Sequence, residues 1–511
     1  MKPELFNSLK GYKKKNLLSD LFAGLMVAII ALPLSIALGI QSVPETVSSN
    51  GLQMGIITAI VAGFFISFLG GSRFQIGGPT AAFVVILFGY LANPEIGILG
   101  LAIAAIMAGL ILIIMGLLRC GSVMKFFPYP ITIGFTTGIG ITLLVGQIKD
   151  LCGFNASGTE AIHKIISYVE NISTFNLSTF IVGVIGLACV IVLPKINKKI
   201  PSAFIALVLC TGVTALANNF MGGTVETIGS KYGDIKAEFY PLNFSSIASV
   251  NFSALIVPAI VIAFLCAIES LLSATVASGM TNTTFNPNQE LLGQGVANIC
   301  CAFLGGLPAT GAIARTAAGI ENGAKSPLTG MFHATFVLIL YFVLMSVVKH
   351  IPLCVFSAIL ISVAINMSRF KLFFKLTKFG IRDTIVLIIT CALTVVFDLT
   401  YGVLGGVFVT VILNIKNFKL GLKISCQDQV VKASGTVFFA NANKLVAFIE
   451  RQAQNSNSIT LDLSEVDRID QTALEKIATI NKKLKVQEKQ LIMVGANIKT
   501  QQRINKFISV L

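Results

Sequence analysis

Runs of about twenty apolar residues recur between Asp20 and Phe418, and they limit what this chain can fold into. Hydrocarbon offers no hydrogen bonds, so a backbone that crosses it must satisfy every N–H and C=O internally, as a helix or a closed barrel. A barrel would read as alternating ten-residue segments. These runs are continuous, so helices are expected. Composition agrees, since only 12% of the 511 residues are charged and 55% are hydrophobic, whereas a soluble domain carries about 25% charged residues.

Fourteen apolar segments fall at about 20–39, 53–69, 76–90, 97–117, 129–147, 176–196, 201–220, 253–280, 290–306, 309–320, 326–350, 353–367, 381–400 and 401–418. The third and tenth are too short to cross a bilayer alone. Residues 1–19 are basic, and no small-residue cleavage site follows the first run, so it reads as a retained span. With the amino terminus in the cytoplasm, 17 Lys and Arg before residue 400 fall in inside loops, Lys125, Lys198 and Lys199 among them. Five fall outside: Lys149, Lys164, Lys231, Lys236 and Lys349. That bias predicts a multi-pass protein of the cell (inner) membrane with both termini cytoplasmic. It also explains much of the net charge of +15, so nucleic-acid binding is not expected.

From about 424 to 511 the chain turns polar. "VVKASGTVFF", "SITLDLSEV" and "QLIMVGA" read as strands. "NKLVAFIERQ", "QTALEKIATINKKL" and "TQQRINKFI" read as helices. This alternation predicts a small cytoplasmic α/β domain. The ten cysteines include no CxxC, and His163, His333 and His350 form no spaced ligand cluster, so no disulfide framework, metal or other cofactor is expected.

Two of the apolar segments are broken. "IGGPTAAFVVILFGY" and "GGLPATGAIARTAAGI" each carry a glycine pair, a proline, a threonine and then a short helix. Pro79 and Pro308 stand 229 residues apart, close to the offset of about 233 between the first and eighth spans. Corresponding broken segments in two halves point to a transporter site. Seven spans per half is odd, so the halves, about 20–220 and 253–418, must be inverted. Glycines let the backbone leave helical geometry, and the freed N–H groups at two helix amino termini create positive potential suited to an anion.

Glu269, in "AIESLLSATV", lies deep in the eighth span, where a carboxyl marks a functional site by default. Desolvation disfavours the carboxylate form, which makes Glu269 a candidate proton carrier with Ser273 one turn away as hydrogen-bond partner. It could equally hold a sodium ion or pair with Arg315, and Arg315 could either attract the anion or neutralise Glu269.

These motifs, with "DLFAGLMVAIIALPLSIALG", "GFTTGIGIT", "ELLGQGVANI" and "AINMSRF", resemble the SulP (sulfate permease) anion transporters over nearly the whole chain. The tail, through "ITLDLSEVDRIDQTAL", resembles that family's STAS domain. The resemblance implies a 20–418 transport domain of 14 transmembrane segments in a 7+7 inverted repeat, divided into core and gate subdomains. A cytoplasmic STAS-like domain would follow at 424–511. It implies a substrate site at Gly78, Pro79, Thr80, Ala81, Thr310, Gly311, Ala312 and Arg315, with Glu269 and Ser273 at the coupling ion. Leu34 after Pro33 departs from many sulfate carriers, and the motifs are more similar to the bacterial C4-dicarboxylate subgroup. Sodium-coupled bicarbonate members usually have Asp where Glu269 stands, which favours proton coupling. The tail is expected to lack a final strand and helix. Asp470 and Thr472 occupy its regulatory loop, where Asp470 also suits a helix N-cap.

The expected function is therefore anion:proton symport by an elevator mechanism, of a sulfate-like anion or a C4-dicarboxylate, in a homodimer whose STAS-like domain meets a cytoplasmic partner. The alternatives are sodium-coupled bicarbonate transport, an exchanger or channel, and a membrane-anchored sensor. No nucleophile–base pair or phosphate loop suggests an enzyme.

Overall fold

The computed structural model describes residues 2–121, 128–155, 158, 161–197, 200–220, 224–233, 236–241, 250–281, 283–397, 399–419, 421–427, 430–454, 456, 458–496, 500–502, 504 and 507. Lys125, Lys198, Lys199 and, in the expected helix after residue 500, residues 503, 505, 506 and 508 lie outside them. The chain forms two compact units: residues 1–122 with 140–366, and residues 123–139 with 367–511.

Each of the fourteen apolar segments carries a helix. In order these are α1 (Lys14–Ser42), α2 (Gly51–Leu69), α3 (Ala81–Ala92), α4 (Gly97–Leu117), α5 (Tyr129–Cys152), α6 (Leu177–Ile196) and α7 (Ser202–Phe220). The second set is α8 (Phe252–Thr281), α9 (Pro287–Phe303), α10 (Ile313–Glu321), α11 (Leu328–Val348), α12 (Leu353–Ser368), α13 (Ile381–Val396) and α14 (Leu399–Lys419). Among the described residues, nine helices are long and apolar enough to cross a membrane unaided. Their outer faces stay apolar: Leu110, Ile114, Phe342 and Val343 are all more than half exposed, as lipid-facing side chains should be. Helices in lipid pack through small residues. Accordingly α4 meets α9 where Gly109 and Gly295 face each other's carbonyls, and a Cβ at either would come within 2.6 Å of the other's oxygen.

Two buried carboxyls fasten the first unit. Asp20 accepts hydrogen bonds from the Lys325 amide (2.5 Å), the Ser326 amide and hydroxyl (3.1 and 2.6 Å), the Thr329 hydroxyl (2.7 Å) and the Tyr12 hydroxyl, locking α1 to the start of α11. Glu290 accepts from the amides of Gly71 and Ser72 (2.9 and 3.0 Å) and from Gln294 (2.9 Å), tying α9 to the turn after α2. Each is fully buried and fully supplied with donors, which offsets the cost of burying a charge-bearing group.

In the second unit, β3 (Lys423–Gln427), β4 (Val430–Val437), β5 (Ser458–Ile469) and β6 (Gln490–Val494) form one sheet in that order, with α15 (Ala442–Ala453) and α16 (Gln471–Val486) packed on it. The pair β3–β4 is antiparallel and the rest are parallel, with Val431 opposite Leu461 and Ile459 opposite Leu491. Alternation along β5 buries Ile459, Leu461 and Leu463 beneath Leu445, Ile449, Leu474 and Ile477. The sequence pattern predicts the first strand at β4; β3 precedes it.

Candidate anion site

The two broken segments meet. Gly77–Gly78 (β1) and Thr310–Gly311 (β2) pair antiparallel, Gly77 opposite Gly311 and Gly78 opposite Thr310. The chain leaves β1 into α3 and β2 into α10 within three residues, so both short helices begin beside this two-strand bridge. Gly78 is at φ +152°, where side chains are strained, and a Cβ there would lie 2.4 Å from Arg315 Nη1. A Cβ at Gly311 would lie 1.6 Å from Gln75 Nε2. The glycines therefore make room for Arg315 and Gln75 as well as freeing the backbone.

Neither helix start is capped by a side chain. Thr80 is the N-cap of α3, yet its hydroxyl turns away and donates to Glu269 Oε2 at 2.9 Å. Ala312, the N-cap of α10, has no polar side chain. The first N–H groups of a helix have no internal partner, so both amino termini keep free donors and the positive end of the helix dipole.

Behind this surface lies a hydrogen-bond chain. The Gly311 amide donates to Ser270 Oγ (3.0 Å), Ser270 to Thr310 Oγ1 (2.7 Å), and Thr310 to the Cys266 carbonyl (3.2 Å). The Ala312 amide donates to the Ile76 carbonyl (2.9 Å), and the Ile76 amide to Thr316 Oγ1 (3.1 Å). Gln75 Nε2 donates to the Ser270 carbonyl at 3.0 Å. The Thr310 hydroxyl and the Gly311 and Ala312 amides are thus committed to protein.

The structure brings the ten sequence-predicted residues together but redistributes their roles. Glu269 and Thr80 keep part of their surface open, whereas Gly78, Pro79, Ala81, Ser273, Thr310, Gly311, Ala312 and Arg315 are buried. Ser273 does not partner Glu269. Its hydroxyl faces Thr316 Oγ1 at 3.5 Å, and Thr80 from the other half supplies the contact instead. Arg315 makes no ion pair with Glu269 among the described residues. It reaches past the bare face of Gly78 and donates from Nη1 to the Pro79 carbonyl and from Nη2 to Ser35 Oγ, each at 3.0 Å. Its Nε has no partner among the described residues although the residue is only 1% exposed. Ser35, Gln75, Ser270 and Thr316 were not singled out in the sequence. They are small or neutral polar residues in apolar helices, and only contact geometry reveals them.

In the second unit Asp470 is the N-cap of α16, accepting from the Ala473 amide (2.7 Å) and the Phe439 amide (2.8 Å). Burial and the neighbouring Asp383 carboxyl push it up to about 7. The Thr472 hydroxyl is buried and accepts from the Tyr129 amide at 3.0 Å, and Gln471 Nε2 donates to the Leu376 carbonyl at 3.0 Å. A buried, engaged hydroxyl is poorly placed for modification.

Comparison with known proteins gives these features a lineage. The profile of the Sulfate permease family matches residues 17–390, and that of the STAS domain matches residues 422–508. Over 513 residues the chain is 34% identical to YvdB of Bacillus subtilis (strain 168), which carries a sulfate transporter's name, covering 97% of this chain and 95% of that one. It is 27% identical over 525 residues to the Bicarbonate transporter BicA of Picosynechococcus sp., covering 96% and 91%. The solved transmembrane domain of a cyanobacterial BicA superposes with a TM-score of 0.67 at 27% identity, over 77% of this chain and 98% of that one. Murine Solute Carrier 26 family member A9, in the inward-facing state, shares the fold at a TM-score of 0.71 and 17% identity, covering 98% and 89%. Paired broken helices, apolar spans and an α/β tail thus coincide with matches along nearly the whole length, and the chain belongs to the sulfate permease family, with a STAS domain at its carboxyl end.

Proposed function

We propose that the protein is a secondary active transporter that carries a small anion together with a proton, by an elevator-like displacement of the segments bearing α3 and α10. One observation carries this reading: Thr80, the N-cap of α3, spends its hydroxyl on Glu269 and leaves the helix start uncapped. The free donors of α3 and α10 attract an anion, and the Glu269 carboxyl bonded to Thr80 repels it unless protonated. Anion binding and proton uptake at Glu269 then assist each other, and linkage makes that assistance reciprocal. The protein is not an enzyme on this reading.

The substrate would be a sulfate-like inorganic anion or a C4-dicarboxylate. The 27% identity to BicA, spread over 96% of the chain, favours a second reading, sodium-coupled bicarbonate transport, with Glu269 as a sodium ligand. Residues 20–418 would form the fourteen-span transport part of an inner-membrane homodimer with cytoplasmic termini, and residues 424–511 a regulatory or assembly domain. The test is uptake of labelled sulfate, bicarbonate and succinate into proteoliposomes, with proton and sodium gradients imposed separately. Stimulation of one anion by protons alone supports the proposal; stimulation by sodium alone transfers it to the second reading. No uptake under either gradient favours an exchanger, a channel or a membrane-anchored sensor.

A further inference from the structure

Three of the five lysines assigned to outside loops converge on one cavity in the first unit. It has a volume of about 280 Å³, and its lining includes Gln41, Glu45, Phe88, Lys149, Asp150, Lys164 and Lys231. None of the residues of the candidate anion site lines it. It lies toward the far ends of the helices that build that site. Gln41 is six residues beyond Ser35 on α1, and Phe88 is eight beyond Thr80 on α3, or roughly 9 and 12 Å along the helix axes.

The carboxylates in this cavity are already engaged. Glu45 takes Lys231 at 2.7 Å and the Tyr232 hydroxyl at 3.1 Å, and Asp150 takes Gln41 at 2.8 Å. Lys149 and Lys164 have no ion-pair partner among the described residues. Lys164 is not a freely solvated lysine. Its Nζ stands 5.0 Å from the Phe88 ring centroid, and a Cβ at Gly146, one turn before Lys149 on α5, would lie 3.7 Å from that Nζ. The Lys164 ammonium is therefore held over α5 one turn from Lys149, in a cavity whose lining carries three lysines against the two carboxylates Glu45 and Asp150. Burial, with Lys149 adding to it and Asp150 opposing, pushes Lys164 below the usual lysine range.

We propose that this cavity is a second anion site, an outer vestibule in which Lys149 and Lys164 capture a small divalent oxyanion before it reaches the half-helix termini. An oxyanion of sulfate size fits the volume, gives both ammonium groups an acceptor that neither has in an ion pair, and relieves their repulsion. The site itself stands without the proton-coupling proposal; only its role as an antechamber rests on the transport reading and on the predicted orientation.

The experiment is pulse labelling of lysines on the full-length protein in phosphatidylcholine vesicles, using a membrane-impermeant amine reagent and peptide mass spectrometry. It is run with sodium sulfate or with sodium chloride at equal ionic strength. Sulfate should protect Lys149 and Lys164 together and leave Lys236 reacting as before. Equal labelling with both salts, or protection of Lys236 to the same extent, overturns the proposal. So does protection that requires anionic phosphatidylglycerol in the vesicles, which would make the occupant a lipid headgroup. In transport-active vesicles, the double variant Lys149→Gln/Lys164→Gln should raise the half-saturating sulfate concentration from the vestibule side about tenfold at unchanged maximal rate, a change of about 1.4 kcal/mol. Unchanged half-saturation in this variant rejects the antechamber role while leaving the labelling result to decide the site.

Discussion

Thr80 donates its hydroxyl proton to Glu269 across 2.9 Å, joining the start of α3 to the middle of α8. Threonine at an N-cap ordinarily accepts from its own helix, so this contact exchanges a local cap for a bond to Glu269. Substituting Thr80 with Val keeps the shape and removes the bond. Loss of a hydrogen bond to a charged group costs about 1.5–3 kcal/mol. The pH profile of uptake should therefore shift in Thr80→Val and stay near wild type in Thr80→Ser. An unshifted profile in Thr80→Val, measured on protein that still binds the anion, would separate this contact from coupling.

Gly311 and Gln75 form a second testable pair, since a methyl group on Gly311 would land 1.6 Å from Gln75 Nε2. Gly311→Ala should destabilise the protein by about 1–3 kcal/mol, the usual cost of overpacking. Truncating the neighbour in Gln75→Ala should recover part of that loss, so the double variant melts above the sum of the single effects. Thermal unfolding in detergent, with all four proteins in parallel, checks the coupling. Strict additivity would mean that the bridge relaxes elsewhere.

A pH effect is expected at the start of α16. Burial and Asp383 raise Asp470 to about 7 in the folded protein, above an unfolded value of about 3.9. Between these values the folded state binds more protons than the unfolded state. Stability of this cap should therefore be greatest in acid, fall as pH climbs through the window, and level off above about 7. Asp383→Asn keeps an acceptor for the Gln471 amide at 3.3 Å and removes the repelling charge, so it should flatten the decline. Amide exchange at Ala473 and Leu474, corrected for intrinsic rates, reads the local opening. A wild-type cap that gains protection with rising pH would contradict the argument.

The sequence revealed what disrupts a pattern. Gly77, Gly78 and Pro79 interrupt an apolar run, Glu269 places a charge inside one, and Asp470 precedes a clear helix, so each stood out. Residues that fit their pattern did not. Ser35, Ser270 and Thr316 are small and neutral, carry no periodic signal, and acquire meaning only when β1 and β2 bring the two halves together. Asp20 and Glu290 sit at the edges of apolar runs, where a charge usually meets water, yet both are fully buried among amide donors. Pairings also outrun local reading: Thr472 meets an amide 343 residues earlier. Ser273 shows the converse error, because i, i+4 spacing put it on the face of Glu269 while the nearer partner came from another segment.

The central claim is that Glu269 carries the coupling proton, and one comparison tests it most directly. Glu269→Gln mimics the neutral acid and keeps an oxygen that accepts from Thr80, so it should bind the anion and support counterflow exchange at uniform pH. It should fail to accumulate the anion when an inward proton gradient is imposed on proteoliposomes, whereas wild type accumulates it. Proton-driven accumulation by Glu269→Gln equal to that of wild type would contradict the account.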